Sequence, residues 1–272
     1  MTIIERAIDA ARAKVAGQPA TARERSSGSR RRPSPAGPTE AIAFTRLVDD
    51  GNLMTEAKDR SVFEQFRRLK RPLLQAAFGP LAAPGTQVIM VTSPLQNAGK
   101  TFVSSNLAWV LAMEKDRKVL LMDMDNARQS LTRQLGMTDR PGLFDMINDE
   151  TMEATQAIYA TDMPGLSVLP AGLTATDSLE RLNSARCREV FLQIIAADNS
   201  RILILDAPPL LVTHEGPAIA SIAGQVLLVI AAGETAKSDL TRSLELLDRQ
   251  KPIGLILNKA PGKAGPDFYY PT

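Results

Sequence analysis

A mostly parallel α/β sheet covered by helices on both faces is the fold this chain predicts, and three features predict it. Short apolar runs alternate with segments of helical periodicity from about residue 87 to residue 258. The runs are continuously apolar rather than alternating, as strands buried on both faces are. Three of them end in residues suited to a charged ligand. Val88-Ile-Met-Val-Thr-Ser leads through a loop to Gly99-Lys100-Thr101, Val119-Leu-Leu-Met runs into Asp123 and Asp125, and Ile202-Leu-Ile-Leu ends at Asp206. Ligands of such sheets bind beyond the carboxyl ends of the strands, where all three motifs fall.

Taken in order, residues 1–16 predict an amphipathic helix, with Ile4, Ile8, Ala11 and Val15 at helical spacing. Residues 17–40 are rich in Gly, Ser, Pro and Arg, cannot build a core, and predict a disordered basic linker. Residues 41–60 show no clear period. A helix follows over 62–78, with Phe63, Phe66, Leu69, Leu73 and Leu74 on one side and Glu64, Arg67, Arg68, Lys70 and Arg71 on the others. Pro72 is expected to kink it or end its first part. Strands are predicted at 87–92, 118–123, 166–169, 202–206, 225–231 and 253–258. Between and around them lie predicted helices at 100–114, 129–136, 141–148, 177–184, 187–197 and 236–249. One domain over 41–262 therefore carries the motifs, followed by a tail at 263–272 that holds two of the three tyrosines.

Composition bounds the class. The 272 residues are 44% hydrophobic but only 4% aromatic, so the core must be aliphatic. The single cysteine, Cys187, excludes an intramolecular disulfide and fits a reducing cytoplasm. The N-terminus breaks its apolar run with charges, unlike a signal peptide, and no apolar stretch approaches the ~20 residues that span a bilayer. Net charge is +2, but the first forty residues hold eight basic against four acidic side chains, so the basic excess belongs to the leader. A basic leader suits an anionic surface or a plain solvated arm; no nucleic-acid partner is expected.

The motifs predict a nucleotide triphosphate site of the P-loop NTPase type. A helix N-terminus attracts phosphate through its free N–H groups, a lysine adds a point charge, and a Thr hydroxyl can ligate Mg²⁺. Lys100 and Thr101 take those parts, and the backbone of Asn97, Ala98, Gly99, Lys100, Thr101 and Phe102 is expected to cradle the phosphates of ATP. Asp206 is placed to hold Mg²⁺ with Thr101, directly or through water. Asp123 and Asp125 alternate at a strand end, so they share a direction only if the chain turns there. One is expected at the metal and the other as a proton acceptor. Arg128 lies within reach of the phosphates, and Asn258 is a candidate contact to the base. His214 has no partner in the pattern and reads as a surface residue, and Cys187 as buried filler.

With these residues in place, the chain resembles the bacterial tyrosine autokinases of exopolysaccharide export, the BY-kinases, and within them the subgroup encoded beside exosortase systems. Glu64-Gln-Phe-Arg67-Arg-Leu-Lys70 is similar to their Glu-x-x-Arg oligomerisation helix, Asp123-Met-Asp125-Asn-Ala-Arg128 to their Walker A′ motif, and Asp206-Ala-Pro-Pro to their Walker B. Ile3-Ile-Glu-Arg-Ala, Leu169-Pro-Ala-Gly172 and Leu257-Asn-Lys-Ala260 also match. The resemblance implies Mg²⁺-dependent transfer of the ATP γ-phosphate to tail tyrosines, here Tyr269 and Tyr270, by a cytoplasmic enzyme. It implies ring-like self-association through Glu64, Arg67 and Lys70, and a location peripheral to the inner membrane through a polysaccharide chain-length (co-polymerase) protein. Three departures stand out. Asn97 replaces a loop glycine whose φ is often positive, Gln129 stands where a proline is expected, and the tail has two tyrosines where relatives often have several. The alternatives are a ParA/MinD-like ATPase and a non-catalytic ATP-binding scaffold. The first usually carries an extra lysine early in the loop, where this chain has Pro94-Leu95-Gln96.

Overall fold

The computed structural model of the chain describes residues 41–173 and 177–261. The expected N-terminal helix, the linker and the tyrosine tail lie outside the described residues. In chain order the elements are α1 (Arg46–Asp49), α2 (Arg60–Phe78), β1 (Val88–Thr92), α3 (Lys100–Ala112), β2 (Lys118–Asp123), α4 (Ser130–Gln134) and α5 (Leu143–Asn148). They continue with β3 (Tyr159–Ala160), β4 (Leu166–Leu169), α6 (Ser178–Leu182), α7 (Ala185–Ala196), β5 (Arg201–Asp206), α8 (Glu215–Ile222), β6 (Gln225–Ala231), α9 (Lys237–Glu245) and β7 (Ile253–Asn258).

The described strands form one sheet in the order β3-β4-β2-β5-β1-β6-β7. Every pair is parallel except β3 with β4. The strand after the phosphate-binding helix returns beyond β5 on one side of β1, while β6 lies on the other. The loop after β1 therefore sits where strand order reverses, the usual ligand crevice of an open α/β sheet. The pairing of β2 with β5 sets Asp123 directly beside Asp206, and β1 lines up Val91 with Asp206. All three motifs thus reach one end of the sheet.

Each face has its own core. Leu120, Met122, Leu203 and Leu205 point to one, with Phe144 and Phe191 from the helices. Leu121, Ile202 and Ile204 point to the other, with Leu107 and Leu111 of α3 and Phe66 of α2. The packing is aliphatic, as composition required. Helix α3 is apolar nearly all round because it is sandwiched between the sheet and α2.

Helix α2 runs through Pro72 to Phe78 rather than ending there. Phe63 and Phe66 before the proline and Leu73 after it are buried on the same core, and Ala77 is buried too, so tertiary packing holds both halves despite the lost N–H. Its start is capped by Asp59, whose carboxylate accepts from Val62 N at 3.1 Å. Three elements were not legible beforehand, the first being α1 in the segment that showed no clear period. Strand β3 is two residues long and shows no alternation. Helix α8 is obscured by Gly216 and Pro217, yet Pro217 sits in the first turn, where a missing N–H leaves no bond unmade.

The segment 41–59, unassigned from sequence, is a strap. Ile42 N donates to Ala160 O at 2.8 Å, and Phe44 N to Asp162 Oδ1 at 2.9 Å. Its far end is held by buried Asn106 of α3, whose Nδ2 donates to Asn52 O at 2.9 Å and whose Oδ1 accepts from Met54 N at 2.7 Å. Asn106→Ala leaves these backbone groups unpaired and should destabilise the domain by about 1–3 kcal/mol. Trp109, the single tryptophan, stacks on Phe44 of the strap at 6.4 Å, so its fluorescence during denaturant unfolding measures the loss.

Candidate active site

The loop between β1 and α3 is shaped by two positive-φ residues. Gly99 has φ 90°, and a Cβ there would lie 2.1 Å from Asn258 Nδ2, so both conformation and space demand glycine. Asn97 has φ 64°, the left-handed conformation expected where relatives use glycine and one that Asn tolerates. Its side chain is employed: Asn97 Oδ1 accepts from Arg128 Nη1 at 2.8 Å, and Gln96 Oε1 accepts from Arg128 Nη2. Arg128 therefore lies at the mouth of the loop, held by the loop's own side chains.

Lys100 opens α3 and is buried at 8% exposure. Burial lowers its pKa, while the charges of Asp206 and Asp125 pull the other way. Thr101 Oγ1 donates to Asp206 Oδ2 at 2.7 Å, and Ser104 Oγ donates to Asp206 Oδ1 at 3.0 Å. Ser104, one turn after Lys100, was missed from sequence; its only signal is that i+4 spacing.

The two strand-end aspartates take different parts. Asp123, on β2, is fully buried; its Oδ2 accepts from Thr132 N at 2.9 Å and Thr132 Oγ1 at 2.8 Å, and its Oδ1 from Asp125 N at 3.1 Å. Thr132, also missed from sequence, bonds onward through Oγ1 to Ala171 N at 3.0 Å. The chain does turn after Asp123, which brings Asp125 to the same side, within electrostatic reach of Lys100. Asp125 Oδ1 accepts a local bond from Arg128 N at 3.0 Å. Among the candidate bases, Asp125 lies within electrostatic reach of Lys100, whereas Asp123 is engaged on Thr132 of α4.

Asn258 Nδ2 donates to Ala98 O at 2.8 Å, so the amide expected at the base clamps the loop. The Phe102 ring turns from the loop and meets Phe66 edge-on at 6.0 Å, leaving only its backbone for a phosphate. Gln129 has φ 48°, which a proline cannot adopt, and its Nε2 donates to Gly172 O at 3.0 Å. His214 is exposed, and Cys187 is buried with its thiol pushed up to about 12 by desolvation. On α2, Glu64 and Arg67 pair with each other at 2.8 Å, and Lys70 pairs with Glu114 just past the end of α3.

Among the described residues, no three His, Cys, Asp or Glu side chains form a metal cage. That donor set suits Mg²⁺, which is held by one or two carboxylates and by substrate phosphates while keeping several waters. Thr101 and Asp206 supply hard oxygens beside Lys100, and the paired buried carboxylates lack full cationic compensation. The residues present fit a metal–nucleotide, which Thr101 and Asp206 would hold with Asp123 beside them.

The fold and this site define a P-loop nucleotide-binding domain. The AAA-domain family matches residues 86–252. The chain is 30% identical over 188 residues to the tyrosine-protein kinase YwqD of Bacillus subtilis, covering 68% of this chain and 77% of that protein. It is 29% identical over 190 residues to the tyrosine-protein kinase ptk of Acinetobacter johnsonii, 69% of this chain but 25% of the relative. It thus spans about a quarter of that relative's length. The kinase domain of the Escherichia coli tyrosine kinase ETK superposes with a TM-score of 0.68 at 27% identity, over 86% of this chain and 87% of that one. The chain belongs to the AAA-domain family and, within it, to the bacterial tyrosine kinases, the BY-kinases. No helix among the described residues is long and apolar enough to cross a membrane.

Burial and mutual repulsion push the Asp206 carboxyl up to about 7, and burial pushes Asp123 up to about 6, against an ordinary value of 3.8. Folded-state values above the unfolded ones favour the fold most below the ordinary value. That stability is lost as pH rises through about 6 to 7. Thermal melts of the nucleotide-free protein should therefore show a higher Tm at pH 5 than at pH 8. Asp206→Asn, which cannot ionise, should flatten that slope.

Proposed function

We propose that the chain is an ATP-dependent protein-tyrosine autokinase that phosphorylates Tyr269 and Tyr270 in the tail of a neighbouring copy. The observation that carries this reading is the convergence of Lys100, Thr101 and Asp206 on one point, with Asp125 within electrostatic reach of the same lysine. When bound, Mg-ATP supplies the phosphoryl group and a cation to balance its charge. Lys100 and the first backbone N–H groups of α3 hold the phosphates in place. Thr101 and Asp206 hold the metal, with Ser104 fixing the second Asp206 oxygen. Asp125 would accept the proton of the incoming tyrosine hydroxyl as its oxygen forms the new bond to the γ-phosphorus and the bond from that phosphorus to the β–γ bridging oxygen breaks, releasing ADP. Arg128, anchored on Asn97 and Gln96, lies where it can follow charge at the loop mouth.

The same reading places the protein in the cytoplasm, at the inner membrane through a polysaccharide co-polymerase partner, where it regulates exopolysaccharide polymerisation and export. Support comes from the BY-kinase family and from the exposed Glu64–Arg67 pair on α2. Lys70, which pairs with Glu114 within the chain, belongs to the same proposed contact.

Incubation with Mg-ATP, beside Lys100→Met, followed by mass spectrometry of the C-terminal peptide, tests the activity. Phosphate on Tyr269 or Tyr270 in the parent and none in the variant is the expected result. ATP consumption without phosphotyrosine would turn the assignment toward a ParA/MinD-like ATPase, and ATP binding without turnover toward a scaffold. For assembly, swapping Glu64→Arg together with Arg67→Glu preserves the pair within the helix but inverts it toward a neighbour. The double variant should sediment as smaller species than the parent at equal concentration while keeping its melting temperature.

A further inference from the structure

A second concave surface opens on the far side of Asn258. A groove of about 1160 Å³ runs between α2 and β7, lined by Val62, Phe66, Leu69 and Phe102 together with the polar Asp59, Ser61 and Gln65, and by the 255–261 segment, which includes Lys259. Its origin is topological. Strand β7 ends the sheet, and its side chains are only half-buried, with Leu257 63% exposed. Pro261, the last described residue, itself lines the groove. Eleven residues follow it, Gly262 to Thr272, and they include Phe268, Tyr269 and Tyr270. Phe268 lies seven residues beyond the tether, within an extended reach of about 25 Å. A tether this short presents a segment at an effective concentration of order millimolar. Aromatic side chains gain most from such a wall of Phe and Leu.

We infer that residues 262–272 dock in cis in this groove, with Phe268 and the adjoining tyrosines set against Phe66, Leu69 and Phe102. The docking needs no catalysis; its consequence rests on the autokinase reading. A phosphate on Tyr269 or Tyr270 adds about −1.5 to −2 charge, which Asp59 and the apolar Phe66, Leu69 and Phe102 of the lining disfavour, while Lys259 is already paired with Glu234. A modified tail then leaves the groove, whereas an unmodified tail keeps its tyrosines from a neighbouring site.

The test uses the full chain with Phe268→p-benzoylphenylalanine, irradiated at low concentration without nucleotide, as an equal mixture of light and heavy-isotope chains. The expected result is same-isotope cross-links from position 268 to the peptides bearing residues 62–69 or Phe102. Val62→Asp, an acid in the first turn of α2 where the helix dipole favours it, should lower their yield at least ~5-fold by placing a charge in the contact. Trp109 fluorescence confirms that this variant is folded. Mixed-isotope cross-links would give the groove, or the tail, to a second copy and overturn cis docking. Cross-links elsewhere, a consumed probe with no cross-link, or a yield untouched by Val62→Asp in a folded variant would also overturn it. Because no ATP is present, failure of the kinase reading leaves each of these outcomes interpretable.

Discussion

Two carboxylates buried side by side at the ends of neighbouring strands are the constraint on which the rest of the site depends. The parallel pairing of β2 with β5 sets Asp123 against Asp206 in register, and both are almost wholly withdrawn from water. Burying such a pair is costly unless it is hydrogen-bonded or neutralised. The surrounding structure answers with Thr101, Ser104 and Lys100 from α3 and Thr132 from α4. What those groups leave uncompensated is negative charge at the mouth of a helix N-terminus, next to a lysine. That is a setting in which a divalent cation and a polyphosphate stabilise each other and the protein.

The loop shows how a local departure from the family is absorbed. Asn97 keeps the left-handed backbone that glycine would adopt and uses its amide oxygen to hold Arg128. Arg128 ties the loop to the Asp123–Asp125 turn, while Asn258 ties it to β7 across the space that a larger residue at Gly99 would fill. The loop is thus braced from both neighbours. Gln129 is a parallel case: its positive φ and its bond to Gly172 replace the rigidity that a proline would supply.

Helix α2 divides its faces between two tasks. Phe63, Phe66 and Leu73 complete the core over α3, with Lys70 pinned to Glu114, whereas Glu64 and Arg67 stay at the surface as a self-satisfied pair. Because the exposed pair carries little folding energy, its charges are free to be shaped by assembly. The same helix forms one wall of the groove beside β7, so core packing and the edge of the sheet meet on one element.

The sequence by itself determined the fold class, the main strands and the identity of the phosphate-binding end. Those follow from local pattern: continuous apolar runs, helical spacing and strand-terminal charges. It also made Lys100, Thr101, Asp206 and the positive-φ character of Asn97 legible, since their chemistry depends on immediate neighbours along the chain. Long-range packing was needed to show that Asp123 is tied to α4 while Asp125 lies within electrostatic reach of Lys100, that Asn258 clamps the loop, and that Ser104, Thr132 and Asn106 carry buried polar networks. Each of those depends on which strand lies beside which, or on contacts between residues far apart in sequence, such as Asn258 with Ala98. The continuity of α2 through Pro72 and the existence of the two-residue β3 were likewise decided by packing, because local propensity disfavours the first and is silent on the second.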